Sequence, residues 1–192
     1  MKWQRFFLYH PGKQLSALLG LIRGAIWRLR GRSAGWPVVH PWVRCQCRGG
    51  RIELGHLTKL SRHVYIEAVS HAEGEVVPLV IGDHTRVWDA TRIMAHKSIT
   101  IGKDCAISWN CTILDCDLHH MSFDGETFEP NSAPIVIEDH VWIGCNVTIL
   151  KGVTIGTGAV IAAGSVVIRD IPAHTLAAGV PARPIKPVPK WK

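Results

Sequence analysis

Aliphatic residues recur at every sixth position through much of the chain, and this spacing is its dominant hydrophobic pattern. One register runs through Ile81, Val87, Ile93 and Ile99, steps by two residues, and continues through Ile101, Ile107 and Ile113. A second register runs through Ile137, Ile143, Ile149, Ile155, Ile161 and Val167. An α-helix repeats about every 3.6 residues and a strand every two, so neither element alone keeps this period. The period of six therefore indicates a repeat architecture.

A small or β-branched residue follows most of these aliphatic residues four positions later, and glycine directly follows four of them. The four-residue positions hold Thr85, Thr91, Cys105, Cys111, Val141, Val147, Val153, Ala159 and Ser165. This pattern predicts a triangular coil, in which each hexad supplies one short strand and one corner and three hexads close one turn. The aliphatic side chains then stack inward, and backbone hydrogen bonds join successive coils. The predicted fold class is an all-β solenoid, a parallel β-helix with an N-terminal helical segment and a C-terminal extension.

Two stretches lack the repeat and are predicted to be loop insertions, at residues 67–79 and 120–134. The expected organisation is a helical segment over residues 1–50, the solenoid over 51–170, and a tail over 171–192. His119 stands immediately before the second insertion, at the position where the next inward aliphatic residue after Ile113 is due. Loops of this length in a compact domain are usually functional or disordered, so this insertion is a candidate site.

The N-terminal segment is basic and amphipathic. Residues 1–52 hold ten Lys and Arg and no acidic residue, which leaves 12 of the 22 basic residues against all 15 acidic ones in the rest of the chain. An apolar stripe at helical spacing comprises Leu15, Leu18, Leu19, Ile22, Ile26 and Leu29. Two interpretations remain open. The helix covers the open end of the solenoid, or it lies on an anionic membrane surface with Trp3, Trp27, Trp36 and Trp42.

Composition and cysteine usage narrow the class further. With 47% hydrophobic residues, the chain is expected to fold around a core. Six cysteines do not suggest a disulfide framework, because Cys105 and Cys111 fall on repeat positions that call for small buried side chains. We therefore expect reduced thiols and a cytoplasmic protein. Neither a signal peptide nor a membrane-spanning helix is expected, and the basic segment carries no nucleic-acid-binding motif.

Two segments resemble the hexapeptide-repeat acyltransferase family, in its sugar and polysaccharide O-acetyltransferase branch. The more specific is DHVWIGCNVTILKGVTIGTGAVIAAGSVVIRDIPAHTLAAGVPARPI at residues 139–185. The other is ILDCDLHH at 113–120, which is similar to the family's Asp-x-Asp-aromatic-His segment, with Leu118 in the aromatic position. The resemblance implies a left-handed β-helix, acetyl-CoA as co-substrate, no metal, and a homotrimer with its sites between subunits.

The same resemblance implies His119 as the general base, although the register of the repeat does not distinguish it from His120. A sugar hydroxyl must lose its proton as it attacks a thioester, and imidazole can accept that proton near neutral pH. Asp115 or Asp117 could fix the imidazole tautomer, or could simply cap a corner of the coil. The backbone N–H of Cys145 is the implied donor to the oxyanion, with Trp142 lining the site.

Coenzyme A is expected in a groove between coils. By resemblance, its pantetheine arm lies near Ala162, Ala163 and Ile168. Arg169 and Arg183 stand near its nucleotide end, where guanidinium groups suit phosphate. Neither a P-loop nor a Rossmann glycine motif is present in the sequence.

Three other functions remain open at this stage. One is N-acetyl transfer to an amino sugar or an antibiotic. Another is a metal-dependent hydratase that resembles the γ-type carbonic anhydrases, with ligands drawn from His84, His96, His119 and His120. The third, a non-catalytic scaffold, gives no reason for the 113–120 segment.

Overall fold

The computed structural model describes residues 18–26, 35–72 and 74–192. Within these ranges the chain forms a parallel β-helix of triangular cross-section, preceded by helix α1 at residues 18–26. The eight-stranded face contains β1 (Val38–Val39), β4 (Lys59–Leu60), β7 (Arg86–Val87), β10 (Ala106–Ile107), β13 (Trp142–Ile143), β16 (Val160–Ile161), β18 (Thr175–Gly179) and β19 (Ala182–Pro187).

The other two faces follow in each turn of the coil. The six-stranded face contains β2 (Arg44–Arg48), β5 (Tyr65–Val69), β8 (Arg92–Ala95), β11 (Thr112–Leu114), β14 (Thr148–Ile149) and β17 (Val166–Val167). The five-stranded face contains β3 (Gly50–Leu54), β6 (Val77–Ile81), β9 (Ile99–Ile101), β12 (Ile135–Ile137) and β15 (Thr154–Ile155). Among the strands of the described residues, all pairings between successive coils are parallel, and only the final β18–β19 pair is antiparallel.

Three edges separate these faces, and each is named here for use below. The loop edge joins the six-stranded face to the five-stranded face and carries both loop insertions. The Cys145 edge joins the eight-stranded face to the six-stranded face. The His140 edge joins the five-stranded face to the eight-stranded face. Many corner residues on the last two edges adopt left-handed backbone, among them Asn110, Asn146, His84 and His140.

The core confirms the six-residue period. Every aliphatic residue of the two predicted registers is at most 1% exposed. The strand pairings align these residues with their equivalents in the coils above and below. Their small partners four residues later are buried as well. Polar members of this second set donate to carbonyls of the next coil, as Thr85 Oγ1 does to Gly102 O at 2.7 Å. The Cys105 thiol does the same to Glu138 O at 3.1 Å.

The solenoid begins earlier than predicted. Strands β1 to β3 complete a first coil that pairs with the second, although most of it falls within the segment that we expected to be helical, residues 1–50. The sequence analysis missed this coil because several of its outward positions are arginines and its six-residue spacing is irregular. The insertions are also bounded differently, because β5 and β6 extend into 67–79 and leave only 70–76 outside the sheets. The second excursion begins at Asp115, directly after β11.

Helix α1 contacts the first coil through its glycines rather than its apolar stripe. A Cβ at Gly20 would lie 3.2 Å from Val38 Cγ1, and one at Gly24 would overlap the carbonyl oxygen of Pro37. Arg23 donates to the carbonyl oxygens of His40, Pro41 and Val43. The stripe residues Leu18, Leu19, Ile22 and Ile26 are exposed. Leu15 and Leu29, like Trp3 and Trp27, lie outside the described residues.

The C-terminal extension folds back along the eight-stranded face. After β19, the indole of Trp191 stacks on His140 with ring centroids 4.2 Å apart, and its Nε1 donates to His140 O at 2.9 Å. Among the described residues, no helix is long and apolar enough to cross a membrane.

Candidate active site at the loop edge

The two insertions converge on one cavity of about 530 Å³ at the loop edge. The first insertion contributes His71, Ala72 and Glu75, and the second contributes Cys116, Leu118, His120, Asn131 and Ser132. His96 and Lys97 lie between them, at the corner after β8. Because equivalent corners of successive coils stack along one edge, insertions 40 to 60 residues apart in sequence meet in space.

Asp115 is a buried structural carboxylate and not a partner of His119. Its two oxygens accept the backbone N–H groups of His96, Lys97 and Ser98 at 2.7, 2.9 and 2.7 Å. The side chain is 0% exposed. Both oxygens are occupied by backbone N–H groups of the preceding coil, so Asp115 caps a corner of the coil, which is the second of the two predicted alternatives. Asp115 therefore fixes the backbone that presents His96 and Lys97 to the cavity.

Asp117 anchors the second insertion. Its carboxylate forms an ion pair with Lys151, whose ammonium also donates to Pro130 O at 2.7 Å. Its backbone N–H donates to Asn131 O at 2.7 Å, which closes the loop at its base. The Asp117 carboxylate is thus directed toward Lys151. Within this chain, neither Asp115 nor Asp117 contacts His119 to fix its tautomer.

The two adjacent histidines differ in their surroundings. His119 is exposed, because the chain has already left the coil at Asp115, directly after β11. Its imidazole makes no hydrogen bond or ion pair with any of the described residues, so both ring nitrogens are available to a ligand. His120 packs edge-on against Phe128 at 6.3 Å and lies 3.5 Å from Asn131 Nδ2. His120 lines the cavity directly.

A second pair of histidines in the cavity was not predicted as part of the site. His71 Nε2 lies 2.8 Å from His96 Nδ1, and the two rings stack at 5.1 Å. His96 Nε2 lies 3.0 Å from Glu67 Oε1, with both side chains largely buried. Tyr65 O–H donates to Glu67 Oε2, and burial together with this hydrogen bond raises the pKa of Tyr65 to about 12. Of these residues, the sequence analysis named only His96, and it did so only as one of four possible metal ligands.

The remaining predicted site residues lie mostly on the Cys145 edge. Trp142 projects outward from β13, half-exposed, with its ring 6.0 Å from that of Trp191. Cys145 and Ala163 occupy successive corners, and Gly144 N–H donates to Ile161 O just before them. Ala162 N–H donates to Ala177 O. The N–H of Cys145 donates to no acceptor in the described part of the chain, which leaves it available to an oxyanion.

His119 and Cys145 are consequently on different edges of the same chain. One face is about six residues wide, or roughly 20 Å of extended backbone. A general base and an oxyanion donor that serve one carbonyl must both lie within a few Å of it. One subunit therefore does not bring the predicted base and the predicted donor together.

The arginines predicted to bind phosphate are exposed. Ile168 and Arg169 lie on the loop edge, two coils beyond the His119 loop and so about 10 Å along the solenoid. Arg183 is in β19, where its guanidinium donates to Ala182 O at 3.0 Å. Neither arginine forms an ion pair with a carboxylate among the described residues, so both charges are free to meet an anion.

The four histidines of the hydratase alternative do not all lie on one edge of the solenoid. His84 Nδ1 lies 3.5 Å from Asp104 on the His140 edge, far from the loop edge where His96, His119 and His120 lie. Across the described ranges, no group of three or more His, Cys, Asp or Glu side chains is arranged to hold a metal ion.

Known proteins share this repeat. The family described as bacterial transferase hexapeptide (six repeats) matches residues 134–169. A hexapeptide-repeat-containing acetyltransferase from Vibrio cholerae, solved in complex with acetyl coenzyme A, is 35% identical with a TM-score of 0.59. That match covers 74% of this chain and 73% of the other.

Two curated relatives are similar over shorter stretches. A putative lipopolysaccharide biosynthesis O-acetyl transferase from Escherichia coli is 37% identical over 117 residues, which cover 56% of this chain and 60% of the relative. A 2,3,4,5-tetrahydropyridine-2,6-dicarboxylate N-acetyltransferase from Enterococcus faecalis is 56% identical over 59 residues, 31% of this chain and 25% of the relative. The chain thus spans between a quarter and three fifths of the length of these relatives.

The fold and the repeat define a left-handed parallel β-helix built from hexapeptide repeats, which confirms the predicted fold class. The chain belongs to the hexapeptide-repeat acetyltransferase family.

Proposed function

We propose that this protein transfers an acetyl group from acetyl-CoA to a hydroxyl of a sugar or of a cell-surface glycan intermediate, with His119 as the general base. The observation that carries the proposal is the unengaged imidazole of His119, whose chain neighbours Leu118 and His120 both line the loop-edge cavity. Support for a hydroxyl acceptor comes from the longer match to an O-acetyl transferase, 117 residues against 59 for the N-acetyltransferase.

In this reaction His119 accepts the proton of the acceptor hydroxyl as its oxygen attacks the thioester carbonyl. The C–O bond forms, and the carbonyl becomes an oxyanion that a backbone N–H can stabilise. Collapse of the intermediate breaks the C–S bond. The departing CoA thiolate then recovers the proton from the imidazolium, which leaves the enzyme unchanged.

A homotrimer would complete the site. Because His119 and Cys145 lie on different edges, the loop edge of one subunit must face the Cys145 edge of the next for both to act on one thioester. Closed cyclic symmetry gives each subunit one such junction. Trp142, Ala162, Ala163 and Ile168 would then line the coenzyme groove. Arg169 and Arg183 would pair with its phosphates.

The test is an acetyl-transfer assay on soluble sugars, read as release of free CoA, with His119→Ala and its neighbour His120→Ala as the matched control. Loss of a general base typically costs about 10²–10⁴ in rate. We expect a loss of this size in kcat for His119→Ala only, with acetyl-CoA binding retained. Near-normal turnover in His119→Ala would contradict the assignment.

Mixed trimers test the shared site independently. Cys145→Pro removes the backbone N–H of Cys145, and a preparation of this variant alone should be inactive. Co-assembly of His119→Ala subunits with Cys145→Pro subunits should restore activity, because one junction then combines an intact base with an intact donor. Light scattering that shows a monomer at micromolar concentration would contradict the trimer.

N-acetyl transfer is the second candidate, favoured by the high identity of the 59-residue match to an N-acetyltransferase. Matched pairs of sugars that differ only in a hydroxyl or an amine at one carbon separate the two. CoA release with the amino sugar alone would favour N-acetyl transfer.

We also propose that the protein lies in the cytoplasm, at the inner face of the membrane, with α1 as the contact. At about 100° per residue, Gly20 and Gly24 lie on the side of α1 opposite Ile22. The apolar stripe is therefore directed away from the solenoid, and the basic N-terminal segment supplies charge complementary to anionic lipid. The full chain should bind phosphatidylserine vesicles at low salt and lose them at high salt. Absence of binding at low salt, or equal binding after Ile22→Gln, would contradict this placement.

A further inference from the structure

A chain of hydrogen bonds runs from the sheet into the loop-edge cavity. It starts at Tyr65 on the outer surface of the six-stranded face, passes through Glu67 and His96, and ends at His71 in the first insertion. His96 is 8% exposed and Glu67 13% exposed, so the middle of the chain is shielded from water. His71 is exposed and lines the cavity.

The chemistry of the partners fixes which atoms donate. A carboxylate is only an acceptor, so His96 Nε2 must carry the hydrogen that Glu67 Oε1 accepts at 3.0 Å. In neutral His96 the other nitrogen, Nδ1, is then an acceptor, and it receives the Nε2–H of His71 at 2.8 Å. The remaining nitrogen of His71, Nδ1, is thereby left as an acceptor.

The two middle members of this chain, Glu67 and His96, are held in place. Tyr65 O–H occupies the second oxygen of Glu67, so the carboxylate cannot turn away from His96 without losing a partner. The Asp115 carboxylate binds the backbone N–H of His96 at 2.7 Å and fixes that residue from below. A solvent-exposed histidine has no structural need of three supporting groups, whereas a binding group requires such preorganisation.

The rest of the cavity lining combines polar groups with apolar ones. Lys97 Nζ and Glu75 Oε1 form an ion pair at 2.8 Å. His120 and Asn131 stand on the side of the second insertion. Such a set of donors and acceptors suits a ligand with several hydroxyl groups better than an apolar one.

We propose that this cavity is the acceptor site, that it takes a polyhydroxylated sugar, and that His71 Nδ1 accepts a hydrogen bond from one of its hydroxyls. His96 and Glu67 are positioning residues that set the tautomer of His71. This inference rests on the proposed function and names the acceptor site that His119 serves.

The kinetic test compares His71→Ala with His119→Ala and with His84→Ala, an exposed histidine on the His140 edge. The probe is the soluble hexoside that supports the fastest CoA release by the wild-type protein. One neutral hydrogen bond contributes about 1 kcal/mol, so His71→Ala should raise the KM for the hexoside about fivefold. The KM for acetyl-CoA should not change. His119→Ala should instead lower kcat, and His84→Ala should change neither constant.

A second measurement needs no acceptor. Long-range ¹H–¹⁵N NMR of the histidine rings should show the Nε2–H tautomer for both His96 and His71. Glu67→Gln should disturb the ring signals of both residues, and Tyr65→Phe should weaken the effect of Glu67 without abolishing it. A melting curve for each variant confirms that it is folded.

The outcomes separate this inference from the proposed function. If no hexoside supports CoA release but the tautomers are as expected, the proposed function fails and the acceptor assignment fails with it. If hexosides are acetylated and His71→Ala leaves their KM unchanged, only the acceptor assignment fails. An Nδ1–H tautomer of His96 would contradict the assignment of donors and acceptors along the chain of hydrogen bonds.

Discussion

The carboxylate of Asp115 accepts the backbone N–H of His96 at 2.7 Å, and through this contact the start of the second insertion is fixed to the coil that precedes it. The same residue's carbonyl oxygen accepts the N–H of Ala133 at 3.0 Å, where the insertion returns. One residue therefore joins His96, the hydrogen-bond partner of His71, to both ends of the loop that carries His119.

Asp115→Asn should destabilise the protein strongly. It removes the charge from three hydrogen bonds and places an amide N–H₂ against backbone donors in a buried site. Hydrogen bonds to a charged group contribute about 1.5–3 kcal/mol each, and we expect a loss of about 2–4 kcal/mol in the free energy of unfolding, measured with urea. Glu129→Gln, at an exposed position in the second insertion where the carboxylate contacts no partner among the described residues, is the control. A loss below about 0.5 kcal/mol for Asp115→Asn would contradict this role.

Gly24→Ala should detach α1 from the first coil. Alanine is a better helix former than glycine, so propensity alone predicts a small gain. Its Cβ, however, would overlap the carbonyl oxygen of Pro37. Gly20→Ala brings the same propensity gain with a milder contact of 3.2 Å to Val38. We expect faster hydrogen exchange at residues 18–26 in Gly24→Ala than in Gly20→Ala. Equal protection in both variants would show that the glycine face does not hold the helix.

Thiol labelling should sort the cysteines by burial. Cys105, Cys111 and Cys116 are at most 5% exposed, and burial raises the pKa of Cys105 and of Cys111. Since the thiolate is the reactive form, these cysteines should resist iodoacetamide at pH 8 in the native protein. Cys47 is exposed and should react first. Mass spectrometry of the labelled peptides gives the order, and early labelling of Cys105 would contradict the buried core.

Cys105 should also make stability depend on alkaline pH. Burial raises its pKa from an ordinary value of 9.0 to about 11, so the folded state binds its proton more tightly than the unfolded state. This contribution is present in full below about pH 9 and is lost as the pH rises to about 11. One such proton lowers the free energy of unfolding by up to about 1.4 kcal/mol per pH unit.

Cys105→Thr is the matched control, because threonine occupies the same repeat position at Thr85 and Thr91 and keeps a donor to the next coil. Its unfolding free energy should fall less steeply than that of the wild type between pH 9 and 11. Parallel slopes for the two proteins would assign the alkaline loss to other groups.

The core was predictable because it depends on local spacing, whereas the cavity was not. An inward position such as Ile107 or Ile143 follows from the six-residue period alone, and both are fully buried. The contact of His71 with His96 joins an irregular loop to a corner 25 residues away, and no period encodes it. The exposure of His119 has a related cause. The repeat register loses its meaning once the chain leaves the coil, and the chain does so at Asp115, before it reaches His119.

The hydrogen bonds between successive coils have a consequence for how the molecule opens. Each coil is held almost entirely by its two neighbours, so thermal disruption should spread inward from the two ends of the stack rather than occur at once. The coils of β5, β8 and β11, which together carry the loop-edge cavity, are not the terminal coils of that stack. Their amides should be among the last to exchange with solvent, and the cavity should keep its shape while the terminal rungs fray.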